Sequence, residues 1–335
     1  MSALRHTAHH TPRRTFLSAS IGLALLGAAR ANAQSGAFPD RPVKIVVPFG
    51  AGGLADVTFR IVAEKLSGLL GKQVVIENIP GAGGIAAGSA VLRAKPDGHT
   101  LLVIANGTAI TKSLFKTMPF DIQKDIVPVS LAAYFDLVIV AKGEGGKYRT
   151  LGDLLAAARA NPGKLNFGTI TPGSTQNLSA ELFKTTANLN VTVVPFKTTP
   201  DISTAIIAGE IDAGFESYAA LKSLIEAGRL RVLASTSPKR TPYLPSAPTA
   251  QEAGVPGYEV VGWNALAAPA GTPADVIALI NKHMNTVVAM PEVKKRFIEL
   301  GLEAHAGTPD ELRSRLAGDI TKWAAVIKRA GISQQ

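Results

Sequence analysis

Apolar residues in this chain fall into short runs that alternate with longer segments repeating every three to four positions. Residues 43–47 form the first run, stopped by Pro48; a glycine-rich turn and an amphipathic stretch at 55–70 follow. Short β-branched runs read as buried strands, and the longer repeat reads as helix. The alternation predicts strand at 74–77, helix near 85–94, and strands at 101–104 and 137–140. Gly143-Glu144-Gly145-Gly146 then reads as a crossing between domains, after which the pattern restarts. Helices are expected at 151–160, from Ser174 to about Ala187, at 202–208 and at 219–227. Strands are expected between them at 165–168, 191–195, 211–215 and 230–234. A proline-rich stretch, 238–256, carries the chain back through 258–261. The remainder reads as helices at 273–290, 291–300 and 309–329, each opening on a proline. This pattern predicts an α/β fold with mainly parallel sheets, in two similar lobes wrapped by C-terminal helices. The space between two such lobes is the usual place for a small-molecule site.

The first 33 residues do not fit that alternation. Arg5, Arg13 and Arg14 precede an apolar run from Phe16 to Ala29, and Ala31-Asn32-Ala33 supplies small residues. Basic, apolar and small-residue regions in that order describe a signal peptide, here cut after Ala33. The apolar run is too short for the roughly 20 residues of a membrane-spanning helix. Arg13-Arg14-Thr15-Phe16-Leu17 also resembles the twin-arginine export motif, and Arg30 near the cleavage point fits that route. The mature chain is therefore expected to be soluble and outside the cytoplasm.

Composition then narrows the chemistry. The formal charge of +10 in 335 residues would suit nucleic acid or a membrane surface. Four of the arginines leave with the signal peptide, which holds no acid, so the mature chain carries +6. Its basic residues are dispersed, without the aromatic interleaving of a single-strand binder, so no nucleic-acid partner is expected. Zero cysteine excludes disulfides, thiolate metal sites and a thiol nucleophile. It also excludes a lipidated cysteine anchor. Only His99, His283 and His305 remain after export, too scattered for a histidine metal cluster. No metal, no cofactor and no catalytic group is expected.

What remains points to ligand binding. Pro48-Phe49-Gly50-Ala51-Gly52-Gly53 joins a strand to a helix. Its glycines let backbone N–H groups approach a ligand, and the first N–H groups of the helix lack internal partners. A carboxylate or phosphate would be held there without any arginine or lysine. Asp56 and Arg60, four apart, are placed to pair on that helix. Gly81, Gly83 and Ala86 match G-x-G-x-x-A, but the following strand ends in Ala105-Asn106-Gly107 and not in a ribose-binding acid. A structural turn is the better reading. In the second lobe, Thr169-Ile170-Thr171-Pro172-Gly173-Ser174-Thr175 is a hydroxyl-rich strand-to-helix junction. Ser174 and Thr175 are placed to cap the helix, to donate to a ligand, or both. Lys197 and Glu216 follow strand ends and would face the cleft; the alternatives are a solvated lysine and an acid that braces the hinge. Trp263 and Trp323 read as packing residues.

Pro48-Phe49-Gly50-Ala51-Gly52-Gly53-Leu54-Ala55-Asp56 resembles the P-[FY]-x-x-G-G-x-x-D signature of the Bug family, periplasmic receptors of tripartite tricarboxylate transporters. Glu77-Asn78-Ile79-Pro80-Gly81-Ala82-Gly83-Gly84 is similar to its E-N-x-x-G-A-G-G, and Pro96-Asp97-Gly98-His99-Thr100 to its P-D-G-[YH]-T. Residues 267–273 and 323–331 also look familial, so the resemblance spans the mature chain in order.

The resemblance implies a two-lobed periplasmic binding fold of the Venus-flytrap, type II-like kind. Residues 34–141 with 258–335 would form one lobe and 142–257 the other. It implies a non-enzymatic, monomeric receptor that takes a small organic carboxylate and delivers it to a membrane permease. Matched by position, Phe49, Gly50, Ala51, Gly52, Gly53, Asn106, Gly107, Thr108, Ser174, Thr175, Lys197 and Glu216 would line the site, with Thr169 beside them. Asn177, Thr198 and Glu216 depart from the common pattern, where His, Gly and Asp are frequent. Two alternatives stay open: a twin-arginine-exported oxidoreductase with a nucleotide cofactor, and the same receptor fold serving a sensor kinase.

Overall fold

A computed structural model describes residues 38–334, so the signal-peptide and cleavage readings lie outside the described residues. Val43–Val47 is strand β1, its apolar side chains buried, and it pairs in parallel with β2 (Val74–Asn78) and β3 (Thr100–Ala105). Helix α1 (Leu54–Leu70) turns Ala55, Phe59, Val62, Ala63 and Leu66 inward at helical spacing and ends at the left-handed Gly71. A short 3₁₀ turn (Ala82–Gly84) and α2 (Ile85–Leu92) lead into β3. Next comes α3 (Asn106–Leu114), a helix that periodicity did not predict.

Strand β4 (Ile126–Lys142) is far longer than the expected 137–140. It is the spine of the molecule. Through Asp136 it pairs antiparallel with β9 (Val261–Pro269), beside β10 (Leu302–Ala304); from Leu137 onward it pairs with β7 (Ala213–Ser217) and β8 (Leu230–Ser235). β7 in turn joins β5 (Asn166–Thr169), which joins β6 (Thr192–Pro195), both in parallel. The strand order is β2-β1-β3-β9-β4-β7-β5-β6, with β8 and β10 also on β4. The sheets are thus mixed and not mainly parallel, because the returning strand β9 enters the first wing between β3 and β4 and runs against both. The glycines at 143–146 turn against Gly228 and Arg229, within the second wing.

Helices α4 (Leu151–Ala160), α5 (Thr175–Thr186), α6 (Thr199–Ala208) and α7 (Tyr218–Glu226) alternate with the strands of the second wing. Phe167, Phe183, Phe215 and Tyr258 pack ring to ring at its centre. The chain closes with α8 (Ala274–Ala289), α9 (Pro291–Glu299) and α10 (Pro309–Ala330). Pro291 and Pro309 open their helices as expected, and Pro273 stands one position earlier, as the cap of α8. Trp263 and Trp323 are both fully buried, and each indole N–H is satisfied: Trp263 donates to Asp319 and Trp323 to Asn106.

Where β4 changes partners, Thr236 knits the strand to the chain returning into β9. Its hydroxyl donates to Val260 O at 2.7 Å, its backbone N–H donates to Leu137 O, and its backbone carbonyl accepts from Val260 N. Asp136 lies at the same crossing, 4% exposed, and its Oδ2 has no hydrogen-bond partner among the described residues. Burial pushes this carboxyl up to about 7, although the Tyr243 and Ser237 hydroxyls partly offset the effect.

Candidate functional site

A cleft of about 230 Å³ lies between the loops that follow β1, β2, β3 and β5. On the first wing it is walled by Phe49, by the second glycine turn (Gly81, Gly83, Gly84) and by α3. The wall on the second wing is the loop from Thr171 to Ser174. The two sides touch. Asn106 Nδ2 donates to Thr175 Oγ1 at 3.3 Å, and a β-carbon on Gly173 would stand 2.5 Å from Leu114. Gly173 has φ +78, so only glycine suits both its backbone and that close approach.

The first loop is built on a buried aspartate. Asp56 Oδ2 accepts from the Gly52 N–H at 2.8 Å and from Arg60 Nε at 2.9 Å, while Oδ1 accepts from Asn78 Nδ2 at 2.9 Å. Asn78 also donates to Phe49 O and accepts from Arg60. Burial would raise the Asp56 carboxyl, but the hydrogen bonds from Arg60, the Gly52 N–H and Asn78 outweigh it and hold the group below its ordinary value. The expected pairing of Asp56 with Arg60 is therefore present, with a larger role than helix decoration. It fixes Gly52 at φ +80.

That network alters the expected chemistry of the loop. The Gly52 N–H is taken by Asp56, and the Gly53 N–H donates to Gly50 O at 3.3 Å, so neither is spare for a ligand. No side chain caps α1 at Gly53. Its first-turn N–H groups are the open donors, as elementary helix geometry requires. Gly50, Ala51, Gly52 and Gly53 are exposed. Phe49, 39% exposed, reaches the cleft itself.

The second loop is held without charge. Asn177 Oδ1 accepts from the Gly173 N–H at 3.0 Å, and Asn177 Nδ2 donates to Thr169 Oγ1 at 3.2 Å. Ser174 caps α5, its Oγ accepting from the Asn177 N–H at 3.1 Å. The hydroxyl proton of Ser174 stays free to donate into the cleft.

Of the residues singled out from sequence, Phe49, Gly107, Thr108 and Ser174 line one cavity. Thr108 Oγ1 accepts from the Ala105 N–H, and open space faces the Gly107 α-carbon. Asn106 is buried beside them, its oxygen given to Trp323 and its amide to Thr175. The rest do other work. Thr169 is fully buried and bonded to Asn177. Glu216, 2% exposed, accepts from Gln176 and the Ser217 N–H on Oε1 and from Thr199 on Oε2. It thereby clamps the starts of α5, α6 and α7, and its carboxylate does not line the cavity. Lys197 is exposed at the turn before α6 and also lies outside the cavity lining. Thr198, a departure from the family pattern, caps α6 in a reciprocal pair with Asp201.

Sequence reasoning missed the floor of the cleft: Ile110, Thr111 and Leu114 on α3, Phe115 at its end, and the glycines of the second turn. The spacing 107, 110, 111, 114 was the available signal, since those positions share one helical face. Thr111 also ties α3 to the second turn, its hydroxyl donating to Gly83 O and Gly107 O. No charged side chain lines the cleft, and among the described residues no cluster of three or more metal-ligating side chains occurs. What this geometry offers a ligand is backbone dipoles, a few hydroxyls and apolar wall.

The sequence model of the tripartite tricarboxylate transporter family receptors matches residues 58–332. The protein BugT of Bordetella pertussis is 33% identical over 320 residues, covering 95% of this chain and 98% of its own. Among solved structures, R. palustris Rpa4515, determined with adipate, superposes with a TM-score of 0.77 at 34% identity, over 88% of this chain and 99% of that one. MatC from Rhodopseudomonas palustris, determined with bound malate, gives 0.73 at 30% identity, over 87% of this chain and all of that one. Both neighbours share the α/β fold described above.

Proposed function

The chain belongs to the tripartite tricarboxylate transporter receptor family, and we propose that it captures a small organic carboxylate in the cleft described above. One observation carries the reading. Two strand-to-helix junctions from different wings, at the starts of α3 and α5, face each other across a cavity that holds the hydroxyls of Thr108, Thr171 and Ser174 but no acidic side chain. A carboxylate placed there accepts hydrogen bonds that no group of the protein uses, at the positive ends of helices. The lobes would be 34–141 with 258–335, and 142–257, closing on the ligand and presenting a joint surface to a permease. Adipate in Rpa4515 and malate in MatC support the ligand class. The protein would reach the periplasm after removal of the first 33 residues and act there as a monomer; no described helix is long and apolar enough to cross a membrane.

Thermal-shift screening tests this reading. A carboxylate at a hundredfold excess over its Kd adds about 2.7 kcal/mol to stability. A protein whose melting no carboxylate raises, yet which a nucleotide or a metal ion stabilises, does not have this function.

A further inference from the structure

The cleft is chemically lopsided. Its hydroxyls, Thr108, Thr171 and Ser174, gather where α3 and α5 begin, whereas Ile110 and Leu114 occupy the rest of α3 and Phe115 follows its end. Phe49 and Pro172 add apolar surface. Among the cleft-lining residues Thr111 is the one hydroxyl farther along the helix, and both of its bonds go to backbone carbonyls. Helix α3 therefore runs along the cleft with its donors at one end and its carbonyls at the other. Lys112, the one cation on α3, is engaged by Asp121 and Gln123, in a neighbouring hollow that Phe115 and Lys116 also line.

Resting on the receptor reading, we propose that this cleft selects acids with one carboxylate on an apolar body and discriminates against di- and tricarboxylates. The head group sits at the starts of α3 and α5, and the body lies along Ile110, Leu114 and Phe115. A second carboxylate at the far end would be stripped of water against Leu114 and Phe115, where no cationic side chain lines the cleft. It would also face the negative end of the α3 dipole. The preference separates this chain from the neighbour solved with adipate, despite the shared fold.

Hexanoate and adipate have the same carbon chain and differ by the terminal carboxylate, so calorimetric titration of the purified protein with both is decisive. Hexanoate should bind at least tenfold more tightly than adipate. Each methylene from butyrate to hexanoate should strengthen binding about fourfold, the value of one buried methylene. Phe115→Ala, with melting followed as a control for folding, should weaken hexanoate about tenfold and narrow the gap between hexanoate and adipate, because the apolar surface that desolvates the second carboxylate is then smaller. Adipate, malate or citrate binding as tightly as hexanoate would overturn the selectivity and leave the receptor reading intact. No heat with any of these acids, benzoate included, would overturn both.

Discussion

The loop after β1 and the loop after β5 serve the same cleft, yet the first is held by an ionised side chain and the second by neutral ones. Asp56 gathers Gly52, Arg60 and Asn78 around a buried carboxylate. Asn177 and Ser174 do the equivalent work with an amide and a hydroxyl. The helix behind the first loop has no side-chain cap; the helix behind the second has one. A charged clamp can gather more donors and leave the helix end open to a ligand, but it ties the loop's geometry to protonation. A neutral clamp is weaker and indifferent to pH.

The largest effect should come from removing the charged clamp. Asp56→Ala leaves the Gly52 N–H, Asn78 and Arg60 without their common acceptor, and should cost about 2–3 kcal/mol. Carboxylate affinity should fall at least tenfold, because Phe49 and Gly52 lose their positions. Asp56 has a depressed carboxyl pKa in the fold. Its contribution is therefore fully present above the ordinary aspartate value and disappears as pH falls through the lower folded one. Denaturant titrations near pH 7 and below pH 3 check the sign. A gap between wild type and variant that fails to shrink in acid contradicts the charged-clamp account.

Asp136 sharpens the contrast, since it is buried as deeply as Asp56 but has one oxygen without a donor. Its carboxyl is raised to about 7, so the sign reverses. Folding is unburdened by it below about pH 4, and the burden grows as pH rises through about 7, to at most about 4 kcal/mol. Asp136→Asn should therefore stabilise the protein by about 2 kcal/mol at pH 8, some of the gain being offset by altered bonds to Tyr243 and Ser237, with little change at pH 4. Equal stability of the two proteins at pH 8 would mean that burial with one oxygen left without a donor is not what distinguishes the two aspartates.

Third in size is the neutral clamp. Asn177→Ala orphans the Gly173 N–H and the Thr169 hydroxyl, both buried, and should cost about 2 kcal/mol at every pH from 4 to 8. Loss that varies across that range would show a titrating group in the second loop.

How far sequence could see this contrast follows from the range of each contact. Asp56 with Arg60 lies within one helix turn, and Ser174 followed by a helix is a local cap signal, so both were legible. Glu216 was not, because the groups that occupy it, Gln176 and Thr199, lie 40 and 17 residues away. Local sequence leaves it open between a ligand group and a brace, and these long-range hydrogen bonds favour the brace. Helix α3 escaped because Asn106, Gly107, Thr108 and Thr111 are poor helix formers. Packing supplies what propensity lacks: Trp323 on α10 bonds Asn106 at its start. The strand β4 hid behind Pro128 and the pair Ala132-Ala133, and its length emerges only from the four strands that pair with it.

Ser174→Ala is the finest test, because it separates holding the second loop from contacting the ligand. The Ser174 oxygen accepts from the Asn177 N–H, and loss of such a cap costs about 1 kcal/mol. Substitution by aspartate keeps an acceptor for that N–H but places a negative charge where the ligand head group is proposed to lie. Both variants line the same cavity. If Ser174 only caps α5 and the head group lies elsewhere, Ser174→Asp should melt like wild type and bind carboxylates as well. If the hydroxyl also donates to the ligand, Ser174→Asp should stay folded and lose affinity at least tenfold, while Ser174→Ala loses about threefold. The second outcome is expected, since the capping bond uses only the oxygen lone pair and leaves the hydroxyl proton facing the cleft. A folded Ser174→Asp with unchanged affinity would move the head group away from the start of α5 and leave α3 to hold it alone.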